Sequence, residues 1–198
     1  MTADQAIAFL LFAVVAAATP GPSNIILTAV GAHAGILRGL PSLLGVMVGM
    51  GLMMFLVPLG LGSLVLQIPL VLNALHWGGA AFLLWLSWKI ATSSRIESLP
   101  ERTPVGFVGT AAFQWVNPKS WLVTVSAAAT FFNAATRSSL LQALFLSGLF
   151  VFAALPSCFL WLAFGATIQR ILSNQRRLRV FNVAMGALLA LSIVLILR

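Results

Sequence analysis

Charged side chains are scarce in this sequence. They make up only 7% of its 198 residues, whereas 61% of the residues are hydrophobic. A soluble domain of this size needs far more charge to cover its surface, while a surface that faces lipid must be apolar. The composition therefore excludes an ordinary soluble protein and predicts an all-α, polytopic membrane protein embedded in a lipid bilayer.

Acids, thiols and imidazoles, which most catalytic and metal sites use, are also nearly absent. The three acids are Asp4, Glu97 and Glu101, and none lies inside a long apolar stretch. Because Cys158 is the only cysteine, the chain has no internal disulfide, and we expect this residue to contribute to packing. Proteolysis within the membrane by paired aspartates or bound zinc is excluded, so we expect no enzyme, no metal and no cofactor.

The net charge of +8 raises the question of a nucleic-acid partner. The basic residues lie between the apolar stretches, where cytoplasmic loops of membrane proteins carry them, so no nucleic-acid partner is predicted. Eight fall in the first, third and fifth connections or their flanks, and two fall on the opposite side. This asymmetry predicts that both termini lie outside the cytoplasm. The first group is Arg38, Lys89, Arg95, Arg102, Arg170, Arg176, Arg177 and Arg179, and the second is Arg137 and Arg198.

Six apolar stretches are long enough to cross a bilayer, which takes about 20 residues each. Only short segments connect them, so we expect one transmembrane domain over residues 1–198 and no room for a soluble module. The stretches cover residues 5–31, 40–66, 69–90, 105–132, 139–166 and 179–197.

Prolines recur at a constant offset in the two halves of the chain. Pro20 and Pro118 are 98 residues apart, and so are Pro58 and Pro156. Three spans per half is an odd number, so the second copy enters the membrane upside down. We therefore predict two inverted three-helix repeats, residues 1–98 and 99–198, in which the first and fourth helices are broken.

The two predicted breaks carry most of the polar residues found inside apolar stretches. Prolines remove backbone donors, and a broken helix is tolerated only against protein or a watery cavity. The exposed helix ends suit a zwitterion, because an amino end attracts a carboxylate and unwound carbonyls receive an ammonium group. The predicted binding residues are Pro20, Gly21, Pro22, Ser23, Asn24, Gln114, Asn117, Pro118 and Lys119.

Lys119 is the exception among the charges, because apolar residues flank it on both sides. A cation in this position is costly unless it meets water, a carbonyl or an anion. One interpretation places it in the binding site beside the second break. The alternative is that it reaches the membrane interface from the end of a shorter fourth span.

Small residues four positions apart let helix backbones approach closely. Such spacing occurs at Gly31, Gly35 and Gly39 and again at Gly45 and Gly49, and Gly78 and Gly79 are adjacent in the third span. We assign most of these glycines to helix packing and none to the site.

Three motifs together resemble the LysE/RhtB exporters: "TPGPSN" from Thr19, "WGGAAFLLWLSWKIATS" from Trp77 and "FQWVNPKSW" from Phe113. The resemblance covers essentially the whole chain. It implies a secondary transporter in the bacterial inner membrane that exports amino acids and is driven by the proton or membrane gradient.

Within that family the motifs look most like the branch that exports cysteine and O-acetylserine, although threonine, homoserine and leucine exporters share the framework. Many members carry an acid in the second span where this chain has Met50, so the resemblance supplies no proton-carrying carboxylate. A passive channel for a small polar solute therefore stays the alternative. A homo-oligomer is compatible with the sequence.

Overall fold

The computed structural model describes residues 1–92, 105–133, 138–171 and 175–196, and within them the chain is helical. The predicted all-α class is confirmed. Four basic residues of the orientation prediction, Arg95, Arg102, Arg137 and Arg198, lie outside the described residues. The helices are α1 (Ala3–Ala18), α2 (Pro22–Leu56), α3 (Gly62–Gln67), α4 (Pro69–Ala91), α5 (Phe107–Val116), α6 (Pro118–Phe131), α7 (Ser139–Ile171) and α8 (Gln175–Ile196), and a π-helical segment at Val57–Leu61 joins α2 to α3.

Both predicted breaks are present, one between α1 and α2 and the other between α5 and α6. By length and composition, two helical stretches of the described chain can cross a bilayer, Pro22–Val65 and Ser139–Ile168. The α1, α5 and α8 regions contribute shorter apolar helices. The arrangement of six spans in two repeats stays a prediction.

The predicted connection between the first two apolar stretches is a kink within α2. Helix continues through this segment, and only Gly35 leaves helical geometry, with φ 75° and ψ −178°. A side chain is strained at this φ, whereas glycine adopts it freely. Before Gly35, α2 runs in the same direction as α7. Asn24 lies beside Cys158, and further along both helices the Thr28 hydroxyl donates to the Trp161 carbonyl at 3.3 Å.

After Gly35, α2 runs in the opposite direction to α7. Gly39 lies against Leu162, while the Ser147 hydroxyl donates to the Gly51 carbonyl at 2.8 Å. The two arms of α2 therefore run in opposite directions along α7, and the chain turns back at a single residue. The turn falls within the connection predicted between the first two apolar stretches, which also contains Arg38.

The two broken elements run antiparallel. The rings of Phe9 on α1 and Phe131 on α6 meet edge to face, with centroids 5.2 Å apart. Ten residues further along α1, the carbonyl of Thr19 contacts the side chain of Lys119 near the start of α6. The breaks therefore lie at the same level along the helices, which is the geometry that matched prolines in opposed repeats predict.

Glycines allow several of the closest helix contacts. A Cβ on Gly45 would overlap the Phe107 carbonyl oxygen, and one on Gly49 would lie 2.7 Å from the Ala111 carbonyl oxygen. Gly31 and Gly39 likewise lie against α7. Gly35 makes the turn instead, and nothing lies within 4 Å of a Cβ added to Gly78.

The outward surface of the described helices is apolar. Leu70, Val108 and Phe152 are each about three-quarters exposed, at 78%, 75% and 74%. Large contiguous apolar surfaces of this kind are unfavourable in water and are expected where lipid is the solvent. Several polar side chains are instead buried between the helices, among them Asn24, Gln114 and Asn117.

Candidate functional site

The first break is held by a side chain that replaces the missing backbone donors. Thr19 ends α1 with extended geometry, and α2 begins at Pro22. The Asn24 amide donates to the carbonyls of Ala17 and Thr19, both at 2.9 Å. Because Asn24 is only 4% exposed, these bonds satisfy carbonyls that the helix itself cannot reach.

The second break is a single residue, Asn117, with φ −84° and ψ 111°. Its Oδ1 accepts from the backbone N–H of Lys119 at 3.1 Å and so caps α6, which Pro118 begins. Its Nδ2 donates to Ser23 Oγ at 3.2 Å. The cap of one broken helix thus contacts the start of the other.

Gln114 joins the two breaks from the side. This side chain is fully buried, and its Oε1 accepts from Ser23 Oγ at 3.0 Å and from Ser120 Oγ at 2.9 Å. Its Nε2 donates to the Thr110 carbonyl at 3.1 Å. A buried amide without partners is costly, so this network fixes the geometry of the breaks.

Lys119 crosses from the second break to the first. Its Nζ donates to the Thr19 carbonyl at 2.6 Å, a short distance typical of a charge-assisted hydrogen bond. Gly21 lies directly beneath the lysine, since an added Cβ would be 2.7 Å from Cδ and 2.9 Å from Nζ. This contact favours the interpretation that Lys119 lies between the two breaks over the alternative that it is an anchor at the membrane interface.

A cavity of about 40 Å³ opens where the two breaks meet. One side is polar and the other is apolar. The polar lining is Gly21, Ser23, Asn24, Gln114, Asn117, Lys119 and Ser120, and the apolar and sulfur lining is Ala16, Ala17, Val46, Met47, Met50, Val123, Phe150, Ala154 and Cys158.

Six of the nine predicted binding residues line this cavity, and the three prolines, Pro20, Pro22 and Pro118, shape its edges instead. Their role in binding substrate stays a prediction. The sequence interpretation missed the apolar wall, including Cys158, which was expected only to pack and is both buried and in the lining. Phe150, Ala154 and Cys158 recur every four residues along α7, a helical-face signal that points to no particular partner.

Contact between the breaks gives a direct prediction. In a Cys158→Ser background, the pair Ser23→Cys and Asn117→Cys should be joined by a short bifunctional thiol reagent, because Ser23 Oγ lies 3.2 Å from Asn117 Nδ2. Mass spectrometry of the cross-linked peptides measures the yield. The pair Ser23→Cys and Ser147→Cys is the control, because Ser147 bonds elsewhere, to the Gly51 carbonyl. Equal yields from the two pairs would contradict the arrangement.

Acidic groups do not contribute to this cavity, and no three His, Cys, Asp or Glu side chains among the described residues are grouped to hold a metal ion. The lining offers an ammonium group, helix ends, amides, hydroxyls and the Cys158 thiol, which can hold a polar solute through charge and hydrogen bonds.

Antiparallel broken helices that enclose a partly polar cavity within an apolar exterior define a membrane transport protein. The chain belongs to the LysE-type translocator family, whose model matches residues 14–197.

Curated relatives named cysteine/O-acetylserine efflux protein support this assignment. Those of Salmonella choleraesuis (strain SC-B67) and Klebsiella pneumoniae subsp. pneumoniae are both 38% identical, over 125 and 138 residues. That of Escherichia coli O1:K1 / APEC is 35% identical over 131 residues. The three matches cover 63%, 69% and 66% of this chain and 64%, 70% and 67% of the relatives, so the Salmonella match falls short of two thirds. No solved structure matches the chain.

Proposed function

We propose that this protein is a secondary transporter of the bacterial inner membrane that exports small, neutral amino acids or their derivatives. The observation that carries the proposal is the meeting of the Lys119 ammonium, the Thr19 carbonyl and two helix breaks at one cavity. The names of the relatives favour cysteine and O-acetylserine as substrates.

The polar side of the cavity offers a partner for each charge of a zwitterion. Helix α2 starts at Pro22 without a side-chain cap, so its first N–H groups and its positive dipole end favour an anion. Together with Lys119 they suit the substrate carboxylate. The carbonyl end of α1 at Thr19 suits the α-ammonium group.

The apolar side of the cavity favours one class of substrate side chain. Met47, Met50 and Phe150 offer a polarizable surface and no charge. A small neutral side chain is compatible with this wall, whereas a basic one finds no carboxylate partner in the lining. This supports cysteine-like substrates over lysine-like ones.

We further propose that residues 1–98 and 99–198 form inverted repeats within one transporter domain. Support comes from the antiparallel broken elements and from the contact between Gly21 and Lys119, which are equivalent at the 98-residue offset. Two residues that are related by a twofold axis can contact each other only near that axis. The candidate site then lies on that axis, as in transporters with alternating access.

Proton coupling is part of the proposal. Lys119 is the charged, titratable side chain of the cavity lining, and we propose that it exchanges the proton. One observation favours the alternative of a passive facilitator: no carboxylate lines the cavity. The two functions differ in whether the substrate can be accumulated against its own concentration gradient.

The test is uptake and exchange of radiolabelled cysteine, O-acetylserine, threonine and lysine by proteoliposomes, with and without an imposed proton gradient. A coupled transporter accumulates the neutral substrates above the external concentration only with the gradient. A facilitator equilibrates them regardless of the gradient, and equal transport of lysine would contradict the neutral substrate class.

Orientation gives a separate prediction. Single cysteines at Thr2, at the start of α1, and at Leu37, which is 82% exposed beside the Gly35 turn, are placed on opposite sides of the membrane by the basic-residue asymmetry. In a Cys158→Ser background an impermeant maleimide should label Thr2→Cys in intact spheroplasts and Leu37→Cys only after lysis. The reverse pattern would overturn the orientation.

A further inference from the structure

The carboxyl end of α1 carries carbonyl oxygens for which the sequence supplies no helical donor. In an α-helix the carbonyl of one residue accepts from the N–H four residues later. For Ala16 and Ala18 those residues are Pro20 and Pro22, which have no N–H. These carbonyls lie at the negative end of the helix dipole, where a cation is favoured.

A cation already lies at this helix end. The Lys119 Nζ donates to the carbonyl of Thr19, the residue that ends α1, at 2.6 Å. The neighbouring Asn24 amide donates to the same oxygen at 2.9 Å. The lysine reaches this position from the opposite break because Gly21 has no Cβ, which would otherwise lie 2.9 Å from the nitrogen.

We infer that the carboxyl end of α1 is a binding site for one monovalent cation of the primary-ammonium class, and that Lys119 is its tethered occupant in this structure. The inference rests on the proposed function, since the α-ammonium group of the substrate is the mobile ligand of the site. When the substrate enters, its ammonium takes the Thr19 carbonyl, and Lys119 turns to the substrate carboxylate. When the substrate leaves, Lys119 returns, and the carbonyl keeps a cationic donor in both states.

This exchange gives Lys119 a role distinct from that of a fixed anion-binding residue. A residue fixed away from α1 would leave the Thr19 carbonyl with the neutral Asn24 amide and no cation at the negative end of the helix dipole. A tethered ammonium supplies that cation without a dissolved ion. The unloaded site therefore needs no sodium or potassium ion as its cation.

The experiment removes the tether and supplies a free ammonium ion. Full-length Lys119→Ala protein is measured for thermal unfolding in detergent and for amino-acid exchange in proteoliposomes, with ethylammonium chloride or with tetramethylammonium chloride at equal concentration. Ethylammonium has the three N–H donors of a lysine side chain, whereas tetramethylammonium has none. Lys89→Ala is the matched control, because Lys89 lies over the Trp85 ring and away from the cavity.

Ethylammonium should raise the unfolding midpoint of Lys119→Ala by about 2 °C or more, since a ligand of the folded state stabilises by mass action. Like the Lys119 side chain, the free ion can move to the carboxylate of the entering substrate, so it should raise exchange by that variant about tenfold, the effect of roughly one charge-assisted hydrogen bond. Neither salt should change Lys89→Ala, and tetramethylammonium should not change Lys119→Ala. Lys119→Met serves in the same measurements if Lys119→Ala does not accumulate.

The two measurements separate failure of the inference from failure of the proposed function. If ethylammonium stabilises Lys119→Ala while the parent protein exchanges no amino acid, the cation site stands and the proposed function fails. If the parent protein exchanges amino acids while ethylammonium neither stabilises nor reactivates the variant, the cation site is overturned. Equal effects of the two salts would also overturn it, because they would reflect ionic strength alone.

Discussion

Replacing Lys119 with methionine is expected to reduce amino-acid efflux by about 10- to 100-fold, which corresponds to one hydrogen bond to a charged group of about 1.5–3 kcal/mol. Methionine retains an unbranched, flexible side chain and removes the positive charge. The carbonyl at Thr19 loses its ammonium donor, and a bound carboxylate loses its counter-charge. The measurement is efflux from proteoliposomes, normalised to the amount of reconstituted protein.

Lys89→Met is the control for removing any lysine from the chain. Its ammonium lies 4.9 Å from the centre of the Trp85 ring and does not line the cavity, so efflux should be unchanged. Lys119→Arg should also be impaired, because the broad guanidinium does not fit the close contact with Gly21. Near-parental efflux by Lys119→Met would remove this residue from the mechanism, and full function of Lys119→Arg would favour an interfacial anchor.

Replacing Gly165 with alanine is expected to lower the free energy of unfolding by about 1–3 kcal/mol, the usual cost of overpacking. A Cβ on Gly165 would overlap the carbonyl oxygen of Thr28, so α7 would have to move away from the first arm of α2. That movement would also strain the hydrogen bond from Thr28 to the Trp161 carbonyl. Thermal unfolding in detergent and the yield of folded protein measure the effect.

The same helix provides a matched control. Gly148 also lies on α7, but nothing lies within 4 Å of a Cβ added there. Gly148→Ala should therefore unfold at the parental midpoint or slightly above it, since alanine is the better helix former. If Gly165→Ala and Gly148→Ala had the same midpoint, the close approach of α2 and α7 would be wrong.

The breaks and their polar residues were predictable because proline and glycine act locally. Pro20 and Pro118 remove donors at their own positions, whatever surrounds them, and their equal offset predicted that distant breaks would meet. Asn24, Asn117 and Lys119 stood out because polar groups are costly in an apolar stretch. These signals require no knowledge of how the helices are rotated.

The apolar wall of the cavity was not predictable in the same way. In a soluble protein, an amphipathic pattern tells which face of a helix is inside, but these helices are apolar on every side. Met47, Met50 and Phe150 therefore look like any other residue of their helices. The reversal at Gly35 falls in the predicted first connection, but the sequence did not indicate that a single glycine within a helical segment would make it.

The turn at Gly35 has a consequence for the cavity. It joins two arms of one helical element that run in opposite directions along α7. One arm brings Ser23 and Asn24 to the polar lining, and the other brings Met47 and Met50 to the apolar lining. One helical hairpin therefore supplies both sides of the cavity, so a substitution that alters the Gly35 turn would disturb both at once.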